Sequence, residues 1–298
     1  MPPTESQDPR FVDIDCWPAQ AAINAMLDGQ IAALAAIQDA VADIAAAAEA
    51  AAVRLALDGR LVYAGAGTSG RIAVQDGVEL GPTFGWPQAR LVYLLAGGIE
   101  ALSRSIEGAE DDTPAAMAAL HDAGIGGGDV VIGVAASGRT PFTLAVIEAA
   151  RGAGALTIAI ANNPGAPMLV SAEHSLLAAT GAEIIAGSTR MKAGTAQKAI
   201  LNMLSTTIML KLGHVHAGLM VDMQISNDKL LARAQAMVAA LAACSPETAA
   251  RALEQTGRNI KAAVLVAMGD TPAGAAQRLA VHDGRLRAAL AAMRGTVA

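Results

Sequence analysis

Apolar residues recur at intervals of three and four through residues 17 to 57, as at Ile23, Met26 and Leu27, and that period predicts helices. From residue 60 the pattern changes. Short, almost continuously apolar runs occupy 60–64, 90–96, 129–135 and 155–161, with a weaker fifth at 174–178. Runs without alternation suit parallel strands covered by helices on both faces. Strands that alternate with helices predict an open, doubly wound α/β sheet whose ligand lies beyond the carboxyl ends of the strands. After Gly187 the strand signal stops. Residues 189 to 212 predict one long helix ended by Gly213, and only helical patterns follow Ser226. Ser245-Pro246-Glu247 reads as an N-cap with proline at the first helical position, and Gly257 and Gly269 separate two short helices. The expected organisation is an N-terminal helical segment (1–57), an α/β domain (58–224) and a small helical domain (225–298).

Composition narrows the function classes. The chain has 298 residues, 53% of them hydrophobic, and a formal charge of −6. Without a basic patch or aromatic platforms, nucleic acid is not an expected partner. The opening Met1-Pro2-Pro3-Thr4-Glu5 is polar and lacks the basic-then-apolar order of a signal peptide. The longest apolar stretch, 31–57, contains Asp39, Asp43, Glu49 and Arg54. Burying those charges in lipid costs more than alanine returns, so an amphipathic helix is expected and not a membrane span. Cys16 and Cys244 lie far apart and form no CxxC pair, so neither a disulfide framework nor a metal site is suggested. The expectation is a cytoplasmic protein.

Three loops could carry chemistry. Gly65-Ala66-Gly67-Thr68-Ser69-Gly70 stands between a predicted strand and a predicted helix and matches the dinucleotide fingerprint. A nicotinamide site, however, places an acid at the end of the following strand to hold ribose hydroxyls. Here that strand ends Leu95-Ala96-Gly97-Gly98, with no acid before Glu100. The adjacent hydroxyls Thr68 and Ser69, at a helix N-terminus, suit a phosphomonoester better. The alternative is a tight turn with a serine N-cap. A second strand ends in Ala136-Ser137-Gly138-Arg139-Thr140 with Pro141 opening a helix, and two such loops of one sheet can converge on one phosphate. The third cluster runs from Gly187, Ser188 and Thr189 through Arg190 and Lys192 to Lys198. It reads as a site for an anionic or polyhydroxylated ligand, or as a capped helix with a solvated basic turn. Cations at a helix N-terminus oppose the macrodipole and ask for a reason.

Glu79, near the end of the first helix of the α/β domain, and Glu110 are the candidate carboxylates, although surface acids far outnumber working ones. His214 and His216 form an i, i+2 pair without the further ligands that zinc requires, so the histidines are expected to be structural or exposed.

Together these residues resemble the N-acetylmuramic acid 6-phosphate etherases, which carry a sugar-isomerase (SIS-type) domain. The resemblance rests on Gly65-Ala-Gly-Thr-Ser-Gly-Arg71, Glu79 with Pro82-Thr-Phe-Gly85, Glu107-Gly-Ala-Glu-Asp-Asp112 and Ala135-Ala-Ser-Gly-Arg-Thr-Pro141. It continues through Gly187 to Lys198, Asn202-Met-Leu-Ser-Thr206 and Leu219-Met-Val-Asp222, covering nearly the whole chain. The run 187–198 is its most specific part. The tail resembles that family's small ubiquitin-associated-like (UBA-like) helical domain. The family's usual opening is only partly echoed, by Thr4-Glu5 and Asp13-Ile14-Asp15.

The resemblance implies a lyase of cell-wall sugar recycling that removes the lactyl ether from N-acetylmuramic acid 6-phosphate, leaving N-acetylglucosamine 6-phosphate and D-lactate. It implies acid/base work by Glu79 and a second essential carboxylate at Glu110. Ser69, Ser137 and Thr140 would contact the phosphate, with Thr68, Gly138, Ser188, Thr189 and Lys192 as further substrate-binding candidates. It also implies a homodimer and neither a metal nor a redox cofactor. An aldose–ketose isomerase and a non-catalytic sugar-phosphate sensor share this fold and much of the motif set; the presence of both Glu79 and Glu110 favours catalysis. One geometric question stays open. If the helix from Ser69 runs unbroken, Glu79 lies about 15 Å from its N-terminal end. Either that helix breaks early, or Glu79 serves the partner subunit's site.

Overall fold

The computed structural model describes residues 2–295. The N-terminal helical region holds α1 (Ala19–Ala35) and α2 (Val41–Leu55), followed by the α/β elements. These are β1 (Leu61–Gly65), α3 (Gly67–Phe84), β2 (Leu91–Leu95), α4 (Thr113–Asp122), β3 (Val130–Val134) and α5 (Pro141–Gly152). They continue with β4 (Leu156–Ala161), α6 (Pro167–Ser171), β5 (His174–Leu177) and α7 (Lys192–Leu212). The five strands form one parallel sheet in the order β2-β1-β3-β4-β5. All residues of β1, β3 and β4 are buried, which is why those runs are apolar without alternation.

That strand order positions the site. The chain passes from β1 to β2 on one side, then returns to place β3 on the other. The helices after β1 and β3 therefore diverge, and a crevice opens at the carboxyl ends of these two neighbours.

The stretch Ala19–Leu55 is long and apolar enough to cross a membrane by length and composition. It folds as two helices, α1 and α2, interrupted at residues 36–40. Ile44, Ala47, Ala48 and Ala51 of α2 are buried, and alanine on that face lets the helix lie close to the sheet. On α1, Ile23, Leu27, Ile31 and Leu34 remain exposed along one side.

Contacts divide the chain into two compact units, at other places than the sequence suggests. The first combines residues up to Val78 with Gln88–Ile208, and the second combines Glu79–Pro87 with residues from Met209 onward. Among the described residues of the second unit lie a two-stranded hairpin, β6 (Val215–His216) and β7 (Leu219–Met220), and five helices. The helices are α8 (Asp228–Ala242), α9 (Pro246–Gln255), α10 (Ile260–Ala267), α11 (Pro272–Val281) and α12 (Leu286–Met293). Ser245 caps α9 through the Thr248 amide, as its sequence predicts. Residues 79–87 join this unit because Trp86 is buried edge-on to His214, and the Gln224 amide donates to the Pro82 carbonyl at 3.1 Å. Asp222 in turn bonds His214 Nδ1 at 2.8 Å and pairs with Lys261 Nζ.

Two polar anchors hold the first unit. Asp76, 2% exposed on α3, accepts from Tyr63 Oη on β1 at 3.0 Å and from Asn202 Nδ2 on α7 at 2.9 Å. Burial pushes its carboxyl up, against the pull of those bonds. At the amino ends of the strands, Arg60 clasps Asp129 through Nε (2.9 Å) and Nη2 (2.8 Å), just ahead of β1 and β3. Burial alone would raise the Asp129 carboxyl. The bonds from Arg60 and the Gly126 amide, with the guanidinium charge, outweigh it and leave the group below its usual range.

A group held low in the folded state stabilises above its unfolded pKa, and the benefit is lost as pH falls through the folded value. Asp129→Ala should therefore cost on the order of 2–3 kcal/mol at neutral pH, because it leaves Arg60 without its partner in a largely buried site. Thermal melts should show the difference from wild type shrinking steadily below pH 4. A constant difference down to pH 2 would rule out this account.

Candidate active site

The crevice predicted by the strand order holds a cavity of about 400 Å³. Its walls come from the ends of β1 and β3 and from two loops distant in sequence. The β1 loop contributes Thr68 and Ser69, and the β3 loop contributes Ser137, Arg139 and Thr140.

Local structure leaves the hydroxyls available. Gly70 lies so close beneath the Gly65 carbonyl that a Cβ there would meet its oxygen at 2.9 Å, so only glycine lets α3 begin so near the strand. The first amides of a helix have no partner within it, and the start of α3, Gly67 to Ser69, lines the cavity. Thr140 sits at the N-cap of α5, but its side chain makes no capping bond. Ser137 Oγ accepts from the Arg139 amide at 3.1 Å and still has its own proton to donate. Gly138 adopts φ +60°, which turns the loop between them. Hydroxyls and helix-start amides together can hold an anion without a lysine.

Glu110 reaches the same cavity from a short turn, Ala109–Asp111. Asp112 fixes that turn by capping α4, accepting from the Ala115 amide at 2.9 Å. Arg71 secures the preceding loop, donating to the carbonyls of Ala101 (2.8 Å) and Arg104 (3.0 Å). A second cavity of about 320 Å³ shares Gly67 and Glu110 with the first, so Glu110 stands on a wall common to both.

Thr189 lines the main cavity beside Gly187, whereas Gly138, Ser188 and Lys192 do not. The Lys192 ammonium is turned away and donates to the Ala182 carbonyl at 2.8 Å. The fully buried Glu183 explains the basic start of α7. Its carboxylate accepts from the amides of Lys192 and Ala193, both at 2.9 Å, and caps the helix. The cations therefore surround a helix end whose dipole a protein carboxylate already satisfies. Glu183 is ten residues from Ala193 in sequence, and no spacing rule pointed to it.

Glu79 is not on the cavity wall. Helix α3 is continuous from Gly67 to Phe84, and Glu79 is exposed on it, ten residues beyond Ser69. The helix does not break before Glu79; its internal Pro82, which cannot bond the Val78 carbonyl, comes three residues later. Sequence reasoning also passed over three charged residues of the wall: Glu5, Asp111 and Arg139. Among the described residues no group of three His, Cys, Asp or Glu side chains is placed to hold a metal ion.

Residues 39–151 match the model of the glucokinase regulatory protein N-terminal SIS domain, and residues 112–207 match the SIS domain. The chain is 46% identical to the N-acetylmuramic acid 6-phosphate etherase of Deinococcus radiodurans, across 96% of this chain and 94% of that one. It is 45% identical to the enzyme of that name from Streptomyces coelicolor, across 98% and 94%. For the Erwinia tasmaniensis protein of the same name the identity is 42%, across 96% and 94%.

Proposed function

The chain belongs to the N-acetylmuramic acid 6-phosphate etherase family, and from that premise we propose how its residues divide the work. The protein is a carbon–oxygen lyase that cleaves the D-lactyl ether of N-acetylmuramic acid 6-phosphate to give N-acetylglucosamine 6-phosphate and D-lactate. The observation that carries the assignment of the site is the meeting of two strand-end loops in one cavity, their hydroxyls unspent, with Glu110 on the wall.

The phosphate seats against Ser69, Ser137 and Thr140, with Thr68 and Thr189 beside it. In the open-chain sugar the carbon 2 proton is acidic because carbon 1 is an aldehyde. Glu79 removes that proton, and the electron pair forms the carbon 2–carbon 3 double bond as the carbon 3–oxygen bond breaks. The departing lactyl oxygen takes a proton from the same carboxyl group. Water then adds, its hydroxyl to carbon 3 and its proton to carbon 2, with Glu110 positioning or activating it.

The unbroken α3 supports Glu79 serving the cavity of a second subunit, in a homodimer. The exposed apolar side of α1 (Ile23, Leu27, Ile31, Leu34) supports a second copy of the chain as its cover. We place the protein in the cytoplasm, where sugar phosphates are held.

Incubation of the purified protein with N-acetylmuramic acid 6-phosphate should release D-lactate; its absence under conditions that keep the fold would refute the activity. Ser137→Ala should weaken binding of N-acetylglucosamine 6-phosphate about 10- to 100-fold, the worth of one charge-assisted hydrogen bond. Calorimetric titration giving the wild-type affinity would remove Ser137 from the phosphate seat.

A further inference from the structure

We propose that Glu5 is a substrate-binding residue whose carboxylate accepts hydrogen bonds from the hydroxyl and amide donors of the sugar. This rests on the cavity being the substrate site.

Thr4 is fully buried, although its neighbours Pro3 and Glu5 are exposed. Every polar group it has is used as a tether. Its amide donates to Asn163 Oδ1 at 3.2 Å, its hydroxyl accepts from Asn163 Nδ2 at 2.9 Å, and its carbonyl accepts from the Gly187 amide at 3.1 Å. Asn163 Nδ2 also donates to the Ala136 carbonyl at 2.8 Å, so the tether reaches the loop that carries Ser137. Pro2 and Pro3 stiffen the approach, and the Glu5 amide closes a tight turn on the Pro2 carbonyl at 2.9 Å.

The tether delivers Glu5 to the cavity wall. Gly187 makes room for it, since a Cβ there would stand 3.0 Å from Glu5 Oε2. Its φ of +75° would strain any other residue as well. Among the described residues the Glu5 carboxylate has no ion pair and no side-chain hydrogen bond, so its acceptor capacity faces the cavity. Fixing this segment costs backbone entropy, and the carboxylate it positions makes no bond among the described residues that would return that cost.

The chemistry follows from what an ionised carboxylate can do. It accepts hydrogen bonds only. Ionised phosphate and lactate carboxylate offer it few or no donors and carry like charge, whereas sugar hydroxyls and the acetamido N–H are donors. Glu5 therefore selects for the sugar, while the hydroxyl loops take the phosphate. Three acids, Glu5, Glu110 and Asp111, against Arg139 as the cation of the wall fit a site that disfavours a bare anion.

The test titrates N-acetylglucosamine 6-phosphate and inorganic phosphate separately against wild type, Glu5→Ala, Thr4→Val and Ser137→Ala, with melting temperatures recorded. Glu5→Ala should weaken the sugar phosphate about 10-fold or more while inorganic phosphate binds as before or tighter. Thr4→Val, which touches no ligand, should give a smaller loss of the same kind. Combined with Glu5→Ala it should add nothing, because both act through one carboxylate. Wild-type affinity for the sugar phosphate in Glu5→Ala, or an equal loss of both ligands, overturns the proposal. If instead Ser137→Ala leaves both affinities unchanged, the assignment of the phosphate seat fails, and that outcome is separate from the behaviour of Glu5.

Discussion

Glu79→Gln should stop both exchange of the carbon 2 proton with deuterated water and release of D-lactate, with losses of at least ~10³-fold in rate. The substitution keeps the shape of the side chain and removes only its ability to take and return a proton. Glu79 is exposed on α3 and has no hydrogen bond or ion pair among the described residues, so stability should stay within about 0.5 kcal/mol of wild type. A loss of activity in this variant therefore reports chemistry and not unfolding. Wild-type exchange at carbon 2 would show that another group is the base.

The same variant decides which subunit Glu79 serves. Mixed with Glu110→Gln and allowed to exchange subunits, Glu79→Gln should regain about a quarter of wild-type activity. Half of the random dimers are mixed, and one of the two sites in each is intact when Glu79 reaches across a two-fold interface. No recovery in demonstrably mixed dimers would place Glu79 in its own subunit's site and require α3 to rearrange.

Glu110→Gln should separate the two halves of the reaction. If Glu110 manages the water that adds to carbon 3, carbon 2 exchange or lactate release should persist in part, while formation of N-acetylglucosamine 6-phosphate falls by about 10²–10⁴-fold. The unsaturated aldehyde should then accumulate, visible by its ultraviolet absorbance. Glu110 lies in a turn fixed by the Asp112 cap and by Arg71, neither of which its substitution touches, so the cavity should keep its form. Exchange, lactate release and product formation all falling together would make Glu110 a partner in the elimination instead.

Much of this protein is decided locally, and local terms can be read in a sequence. The almost continuously apolar runs at 61–65, 130–134 and 156–161 are buried on both faces, and burial of consecutive residues leaves its mark on nearly every one of them. The N-caps at Asp112, Asn227, Ser245 and Asn259 are satisfied by amides three positions away. The loops bearing Thr68, Ser69, Ser137 and Thr140 announce themselves in the same way, as glycine and hydroxyls between a strand and a helix start.

What only the tertiary structure decided depends on groups far apart in the chain. The order β2-β1-β3 brings residues 68 and 137 to one crevice, and the sequence does not state that order. Lys192 looks like a ligand for an anion until Glu183 takes the helix start and Ala182 takes its ammonium. Glu5 looks like a loose acid until the buried Thr4, 159 residues from Asn163, holds it against Gly187. A charged side chain has nearly the same local propensity whether it faces solvent, a helix end or a substrate. Its direction is set by nonlocal hydrogen bonds and by the room a distant glycine leaves.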